Sequence, residues 1–266
     1  MVEDGNQEEK VMEMDDVAVM SLISRFTIFK NKNLPESEGG INLGMFPFVG
    51  VIVGIVMLIA LTVLFIIDDK IVGITPFVCI VAIAIPMFVY AFKGTAGLMR
   101  LSGSFYQEDS NSVGPAGLMI PVLVVLLMYS MYLMIGTGMM FYFVPALEVA
   151  VTFSLVTMLF FSKKCRDQRF SAASGMSGLV TAAIISVIAG VAFAGIALLL
   201  MDSLEYKLII AIVLMFGVAF GVGFLSASLS DKYTEGMDGN VFGASMELSR
   251  ALIAIVSALL FAIIFT

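Results

Sequence analysis

Long apolar runs dominate the pattern of hydrophobic and polar positions along the chain. A membrane-spanning helix needs about 20 mostly apolar residues, because the hydrocarbon core is ~30 Å thick. The runs are continuous and do not alternate, so they predict α-helices and not the strands of a barrel. Seven stretches are long enough, at 45–67, 73–92, 117–137, 140–161, 178–201, 207–226 and 247–265. The pattern predicts an all-α polytopic membrane protein.

The part of the chain before the first span has a different character. Residues 1–16 are rich in Asp and Glu and predict an acidic disordered tail. Residues 17–44 contain a short, partly charged apolar stretch, which predicts an amphipathic or re-entrant segment. Residues 45–266 form the predicted transmembrane helical domain.

Composition supports this class and excludes others. Hydrophobic residues make up 60% and charged residues 13% of the chain, against about 45–50% and about 25% in soluble domains. The net charge of −7 arises largely from the N-terminal tail, and no basic surface suggests a nucleic-acid partner. The absence of His excludes the commonest metal ligand and general base.

The distribution of basic residues predicts the orientation. Twelve of them fall on the side of the N-terminus, whereas only Lys70 and Lys207 fall on the other side. Because Lys and Arg concentrate in cytoplasmic loops, we expect a cytoplasmic N-terminus in a multi-pass protein of the cell membrane. The longer polar connections, at 93–116, 162–177 and 227–246, share that cytoplasmic face. We therefore expect any chemistry there.

Two of these connections combine glycines with cations. The first contains Lys93 and Arg100 together with four glycines, and Gly117 follows directly; glycines permit close approach of a ligand or of another helix. The second carries four cations that could bind phosphate groups or anionic lipid. These four residues are Lys163, Lys164, Arg166 and Arg169.

The third connection holds the most distinctive stretch, from Gly236 to Glu247. On a helix, Gly243 and Glu247 share a face, which places the carboxylate beside a close-packed partner. An ionisable group at the start of a span is costly and usually functional. Asp238 and Asn240 are candidates for capping this helix or for function. Glu148, inside the fourth span, either snorkels to the interface or has a buried partner.

These motifs resemble those of cobalamin synthase, the adenosylcobinamide-GDP ribazoletransferase of cobamide biosynthesis. Ser21–Ile28 is similar to the family's opening "SFxTRLPV", and Phe46–Gly54 to its "FPxxGxxxG". Asp109 begins a segment similar to "DxRxGxxG". The closest similarity is to "GxxGDxxGAxxE", at Gly236, Gly239, Gly243, Ala244 and Glu247.

The resemblance also has gaps. The family's "HLDGLADTxDG" aligns with residues 94–103, where Ala96, Arg100 and Gly103 stand in place of aspartates. Asn240 stands in place of another. The resemblance implies a Mg²⁺ held by carboxylates, and of the family's acidic set Asp109 and Glu247 are present. Arg100 could partly replace the cation by pairing with a pyrophosphate.

The implied activity joins adenosylcobinamide-GDP to α-ribazole or its 5′-phosphate and releases GMP. Asp109, Glu247 and Arg100 are then the catalytic candidates, the first two also as metal ligands. The substrate-binding candidates are Lys93, Lys163, Lys164, Arg166, Arg169, Gly236, Gly239, Asn240 and Gly243. We expect the helices to be surrounded by membrane lipid. The protein could also form a homo-oligomer or a complex with pathway enzymes.

Two alternatives stay open. A catalytically degenerate paralogue would bind a cobamide precursor or a pathway partner, which the missing aspartates favour. A small membrane transporter is the less favoured alternative, because transporters place their sites near the bilayer midplane. Here the polar residues concentrate in the cytoplasmic connections.

Overall fold

The computed structural model of the chain describes residues 19–29, 40–68, 74–105, 114–172, 174–201, 206–234 and 236–265. These residues are almost entirely helical. Residues 19–26 form helix α1. The helices that follow are α2 (Pro47–Asp68), α3 (Thr75–Val89), α4 (Lys93–Phe105), α5 (Pro115–Ile135), α6 (Thr137–Phe161), α7 (Met176–Met201), α8 (Tyr206–Tyr233) and α9 (Gly239–Phe265). The predicted all-α class is confirmed. The predicted acidic tail at 1–16 lies outside the described residues.

Helix α6 forms the centre of the bundle. Between Phe143 and Phe161, 94% of its residues are buried, whereas only 28% of the residues in the apolar stretch of α2 are buried. It packs against α2, α7, α8 and α9. The outer helices instead turn large apolar side chains outward, such as Ile59, Leu126 and Ile188. An apolar exterior around a packed central helix suits a lipid environment and would not suit water.

The described residues contain six helices that are long and apolar enough to cross a membrane. Helices α3 and α4 together make a seventh candidate, broken by a bend of 87°. At this bend Ala91 and Phe92 have φ values of 53° and 55°, in the left-handed region that ordinary residues seldom occupy. The apolar helix α3 ends at this bend, and α4 starts after it at Lys93 in a different direction. Residues 93–105, predicted as a loop, are therefore helical.

The second correction concerns the connection predicted at 227–246. Helix α8 continues to Tyr233, and α9 already begins at Gly239. The carboxylate of Asp238 caps α9 by accepting hydrogen bonds from the backbone N–H groups of Asn240 (2.8 Å) and Val241 (2.9 Å). The capping prediction is confirmed for Asp238, whereas Asn240 lies within the helix. Polar composition alone misled the loop prediction, because residues 241–246 of α9 are buried by other helices and remain helical despite their polar surroundings in the sequence.

Three connecting segments meet at one end of the bundle. The backbone of Arg166 and Asp167 donates to the carbonyl oxygen of Met237, and Met237 donates to Lys164. Ile41 donates to the carbonyl oxygen of Ser171 at 2.7 Å. Helix α1 lies at this same end, since the ring of Phe26 is 6.4 Å from that of Phe170, and the Ile28 N–H bonds the carbonyl oxygen of Val89 next to the start of α4. The polar segments of the chain are thus gathered around one place.

Two glycines of α8 provide a matched test of this packing. A methyl group on Gly223 would collide with the carbonyl oxygen of Ser154 on α6, whereas one on Gly221 would meet open space. We expect Gly223→Ala to destabilise the protein by about 1–3 kcal/mol. Gly221→Ala should be neutral or stabilise by up to ~1 kcal/mol, because alanine favours the helix. Thermal unfolding of both variants in detergent measures the difference; equal midpoints would contradict the close contact of α6 with α8.

Candidate functional site

A cavity of about 460 Å³ lies at the polar end of the bundle, a size suited to a small ligand. We call it the site cavity. Four parts of the chain form its wall: the end of α1, one face of α4, the connection between α6 and α7, and the start of α9. The lining residues are Arg25, Phe26, Lys93, Ala96, Gly97, Arg100, Asp167, Arg169, Phe170, Asp238, Gly239, Asn240, Phe242, Gly243 and Met246.

Two of its cations are held in place by aromatic rings and backbone carbonyl oxygens. The guanidinium of Arg25 lies 5.3 Å from the ring of Phe26 and 5.2 Å from the ring of Phe170, close enough for cation–π attraction. It also donates a hydrogen bond to the carbonyl oxygen of Arg169. The ammonium of Lys93 donates to the carbonyl oxygen of Arg25. These contacts hold α1, α4 and the α6–α7 connection together.

Arg100 lies on α4 about two helical turns after Lys93 and also reaches the cavity. Lys93, Ala96 and Arg100 recur at helical spacing and share the face that lines the cavity. Nη1 of Arg100 lies 3.5 Å from Oδ1 of Asn240, at the upper limit of a hydrogen bond. A neutral amide leaves the positive charge of the guanidinium in place at the wall. An anionic ligand would therefore find this charge available.

The two carboxylates of the wall have partners within the chain. Asp167 accepts from Arg169, at 3.1 Å from Nε and 2.8 Å from Nη2. Hydrogen bonds from the Arg169 side chain hold the pKa of Asp167 below its ordinary value. Asp238 caps α9, as described above. Among the described lining residues, four cationic side chains thus stand against two carboxylates.

Glycines bring α4 and α9 into backbone contact behind the cavity. A methyl group on Gly97 would lie 2.6 Å from the carbonyl oxygen of Asn240. One on Gly243 would lie 2.5 Å from the carbonyl oxygen of Lys93. Gly94 faces the carboxylate of Glu247 in the same way. The prediction that Glu247 sits beside a close-packed partner is confirmed, and that partner is α4.

A buried ion network joins Glu247 to the bundle centre. Arg250 donates from Nη1 to Oε2 of Glu247 at 2.6 Å, and from Nε and Nη2 to the two carboxylate oxygens of Glu148 at 2.8 and 3.1 Å. Arg250 is 1% and Glu148 0% exposed. Glu148 therefore does not snorkel; the alternative of a buried partner is correct. Arg250, which was counted among the twelve basic residues on the side of the N-terminus, is enclosed by helices.

The structure separates the remaining predicted residues into two groups. Arg100, Lys93, Arg169, Gly239, Asn240 and Gly243 line the site cavity. Lys163, Lys164, Arg166 and Gly236 are not among the lining residues. The ammonium of Lys164 instead donates to the carbonyl oxygen of Asp231 at 3.1 Å. Asp109 lies outside the described residues, so its predicted role stays a prediction.

Sequence reasoning did not select Arg25, Asp167 or Phe170 as site residues. Arg25 belongs to the short segment before the first span, and only its place in the motif similar to "SFxTRLPV" marked it. Asp167 and Phe170 lie within the cationic connection, next to residues that were selected. The contacts that bring them to the cavity are long-range and leave no periodic signal in the chain.

The described residues do not fit a Mg²⁺ ion. Such an ion prefers oxygen ligands, usually one or two carboxylates together with phosphate and water. Across the described ranges, no three His, Cys, Asp or Glu side chains are grouped so as to hold a metal ion. Glu247 is engaged by Arg250, and the aspartate positions of the related motif carry Ala96 and Arg100, which line the cavity. Neither side chain is a cation ligand.

The fold and the site thus define a multi-pass helical membrane protein with a cationic cavity at one end. A comparison with protein families matches residues 108–258, more than half of the chain, to cobalamin-5-phosphate synthase. The chain belongs to this family, and its role is in cobalamin synthesis. No curated protein and no solved structure matches it. The match begins after α4, so the helix with the altered aspartate positions lies outside it.

The buried ion network generates a prediction about stability. Arg250→Ala leaves two carboxylates enclosed without their cation, and breaking such a pair costs about 3–5 kcal/mol. Ser249→Ala is the matched control, because it removes only the 3.0 Å hydrogen bond from Ser154 and should cost about 1 kcal/mol. Thermal unfolding in detergent, with the yield of folded protein, compares the two. Similar losses for both variants would argue against a stabilising network.

Proposed function

We propose that the chain is the membrane transferase that joins adenosylcobinamide-GDP to α-ribazole or its 5′-phosphate. The single observation that carries this proposal is the cationic site cavity between α4 and the start of α9. It combines the family's glycine-rich α9 motif with guanidinium and ammonium groups suited to a diphosphate. We place the protein in the cell membrane with this end toward the cytoplasm, where the nucleotide-activated corrinoid is available.

The reaction requires little covalent chemistry from the protein. A ribose hydroxyl oxygen forms a bond to the phosphorus next to cobinamide, and the bond from that phosphorus to the bridging oxygen breaks. The bridging oxygen leaves with GMP, and the hydroxyl proton passes to water. Catalysis of phosphoryl transfer is mainly positioning and charge stabilisation. No change of oxidation state occurs.

The side chains divide this work by position. Arg100 and Lys93 on α4, Arg25 on α1 and Arg169 in the α6–α7 connection line the cavity together and would bind the diphosphate. The start of α9 adds the backbone of Gly239, where the absence of a side chain permits close approach, while Gly243 holds α9 against α4. Glu247 acts from behind: it fixes α9 against α4 and holds Arg250.

A second candidate is a family member that binds a cobamide precursor without turnover. The specific observation in its favour is the replacement of motif aspartates by Ala96, Arg100 and Gly103 in α4. The same cationic cavity serves both functions. Release of GMP distinguishes them, because binding alone leaves the diphosphate intact.

Complementation of a cobalamin-synthase deletion strain tests the proposal. With cobinamide supplied, the chain should restore cobamide synthesis, and membranes containing it should release GMP. Arg100→Ala should lower the rate of GMP release about 10–100-fold, because a charge-assisted hydrogen bond is lost from the transition state. Arg100→Lys should retain part of the rate.

Lys232→Ala is the control for this experiment. Lys232 is also basic and lies near the end of α8, but its ammonium faces the ring of Tyr233 and does not line the site cavity. Its rate should match that of the unaltered protein. Absence of GMP release from protein that is folded and in the membrane would favour the binding function.

A further inference from the structure

The composition of the cavity wall bears on how negative charge is neutralised at the site. A diphosphate that bridges two groups has one negative charge on each phosphate. Among the described lining residues, the cations Arg25, Lys93, Arg100 and Arg169 outnumber the carboxylates Asp167 and Asp238. Fixed cations of the chain can therefore supply positive charge to the ligand without a metal ion. A wall built for a metal-bound diphosphate would be expected to hold uncommitted carboxylates.

The described carboxylates near the cavity each have a structural partner. Asp167 is held by the side chain of Arg169, and one oxygen of Asp238 accepts two backbone N–H groups of α9. Oε2 of Glu247 is bound by Arg250, while its other oxygen lies against α4, 3.5 Å from Oγ1 of Thr95. These carboxylates therefore already serve the cap of α9 and two ion pairs.

Arg100 lies on the cavity face of α4 together with Ala96, one turn away. In the resemblance given above, both positions correspond to aspartates. A guanidinium at this position repels a divalent cation and offers a planar fork of donors to phosphate oxygens. The substitution changes the sign of the charge at the wall, and so it changes which partner the diphosphate needs.

We infer that this chain neutralises the diphosphate of its substrate with fixed side-chain cations, Arg100 foremost, in place of a divalent metal ion. The inference rests on the proposed function for its physiological substrate, but the recognition of a diphosphate is a property of the cavity itself. Phosphoryl transfer then proceeds with its developing charge held by guanidinium and ammonium groups.

Binding of inorganic pyrophosphate to the purified full-length protein in detergent tests the inference without turnover. Titration calorimetry is performed in EDTA and again with excess Mg²⁺. We expect pyrophosphate to bind in EDTA, with a Kd that Mg²⁺ does not tighten by more than about twofold. Arg100→Ala should weaken binding in EDTA about 10–100-fold, as expected for loss of a charge-assisted contact. Lys232→Ala should bind as the unaltered protein does.

A converted variant provides the reciprocal arm. Ala96→Asp combined with Arg100→Asp places carboxylates at both wall positions and removes one cation. This double variant should bind pyrophosphate poorly in EDTA and recover at least about tenfold with Mg²⁺, because a metal ion can now bridge protein and phosphate. Thermal unfolding confirms that it is folded. Arg100→Ala alone should show no such recovery.

Turnover gives the third arm. GMP release from adenosylcobinamide-GDP and α-ribazole should continue in EDTA at a rate within about twofold of that in Mg²⁺, since no metal step limits it. Pyrophosphate binding or GMP release that appears only with Mg²⁺ would overturn the inference. If GMP is released under neither condition, the proposed function fails, while pyrophosphate binding in EDTA still decides the inference.

Discussion

The ion network of Glu148, Arg250 and Glu247 is the constraint on which the site depends. Charges enclosed in a helical bundle are costly unless each one has a partner, and here one guanidinium serves two carboxylates on two helices. Glu148 belongs to the central helix α6, whereas Glu247 faces α4. The network therefore fixes the rotation of α9 relative to the bundle centre and sets where the start of α9 meets α4. The cavity lies along that contact.

Close backbone packing makes the arrangement possible. Glycines on α4 and α9 let the two helices approach until carbonyl oxygens and small residues touch. Because glycines form the contact itself, the long side chains of Lys93 and Arg100 lie at its edge and reach the cavity. The bend after α3 is equally necessary, because a straight continuation would carry these cations along an apolar span. The cost of two residues with positive φ is thus compensated by the packing of α4.

Much of the fold could be predicted from the apolar runs of the chain, whereas the site could be predicted only in part. The apolar runs predicted the membrane helices because lipid requires continuous apolar length. They did not predict α4 or the start of α9, which were predicted as loops. Polar and glycine-rich turns remain helical here because they pack against other helices. Glu247 and Gly243 were predicted to share a packed face, and they do. Arg25 and Phe170 were missed because only tertiary contacts bring α1 and the α6–α7 connection to the cavity.

The extent of the family match fits this division of roles. It covers residues 108–258, which supply α5 to α8, most of α9 and the partners Glu148 and Arg250. Helix α4 lies before it. The helices that position α9 thus lie within the family match, whereas the cavity face of α4 lies outside it. Because Gly94 and Gly97 make the contact with α9, the side chains at Ala96 and Arg100 can differ from the family motif without disturbing the crossing. We therefore expect a change of charge at these two positions to leave the contact between α4 and α9 intact.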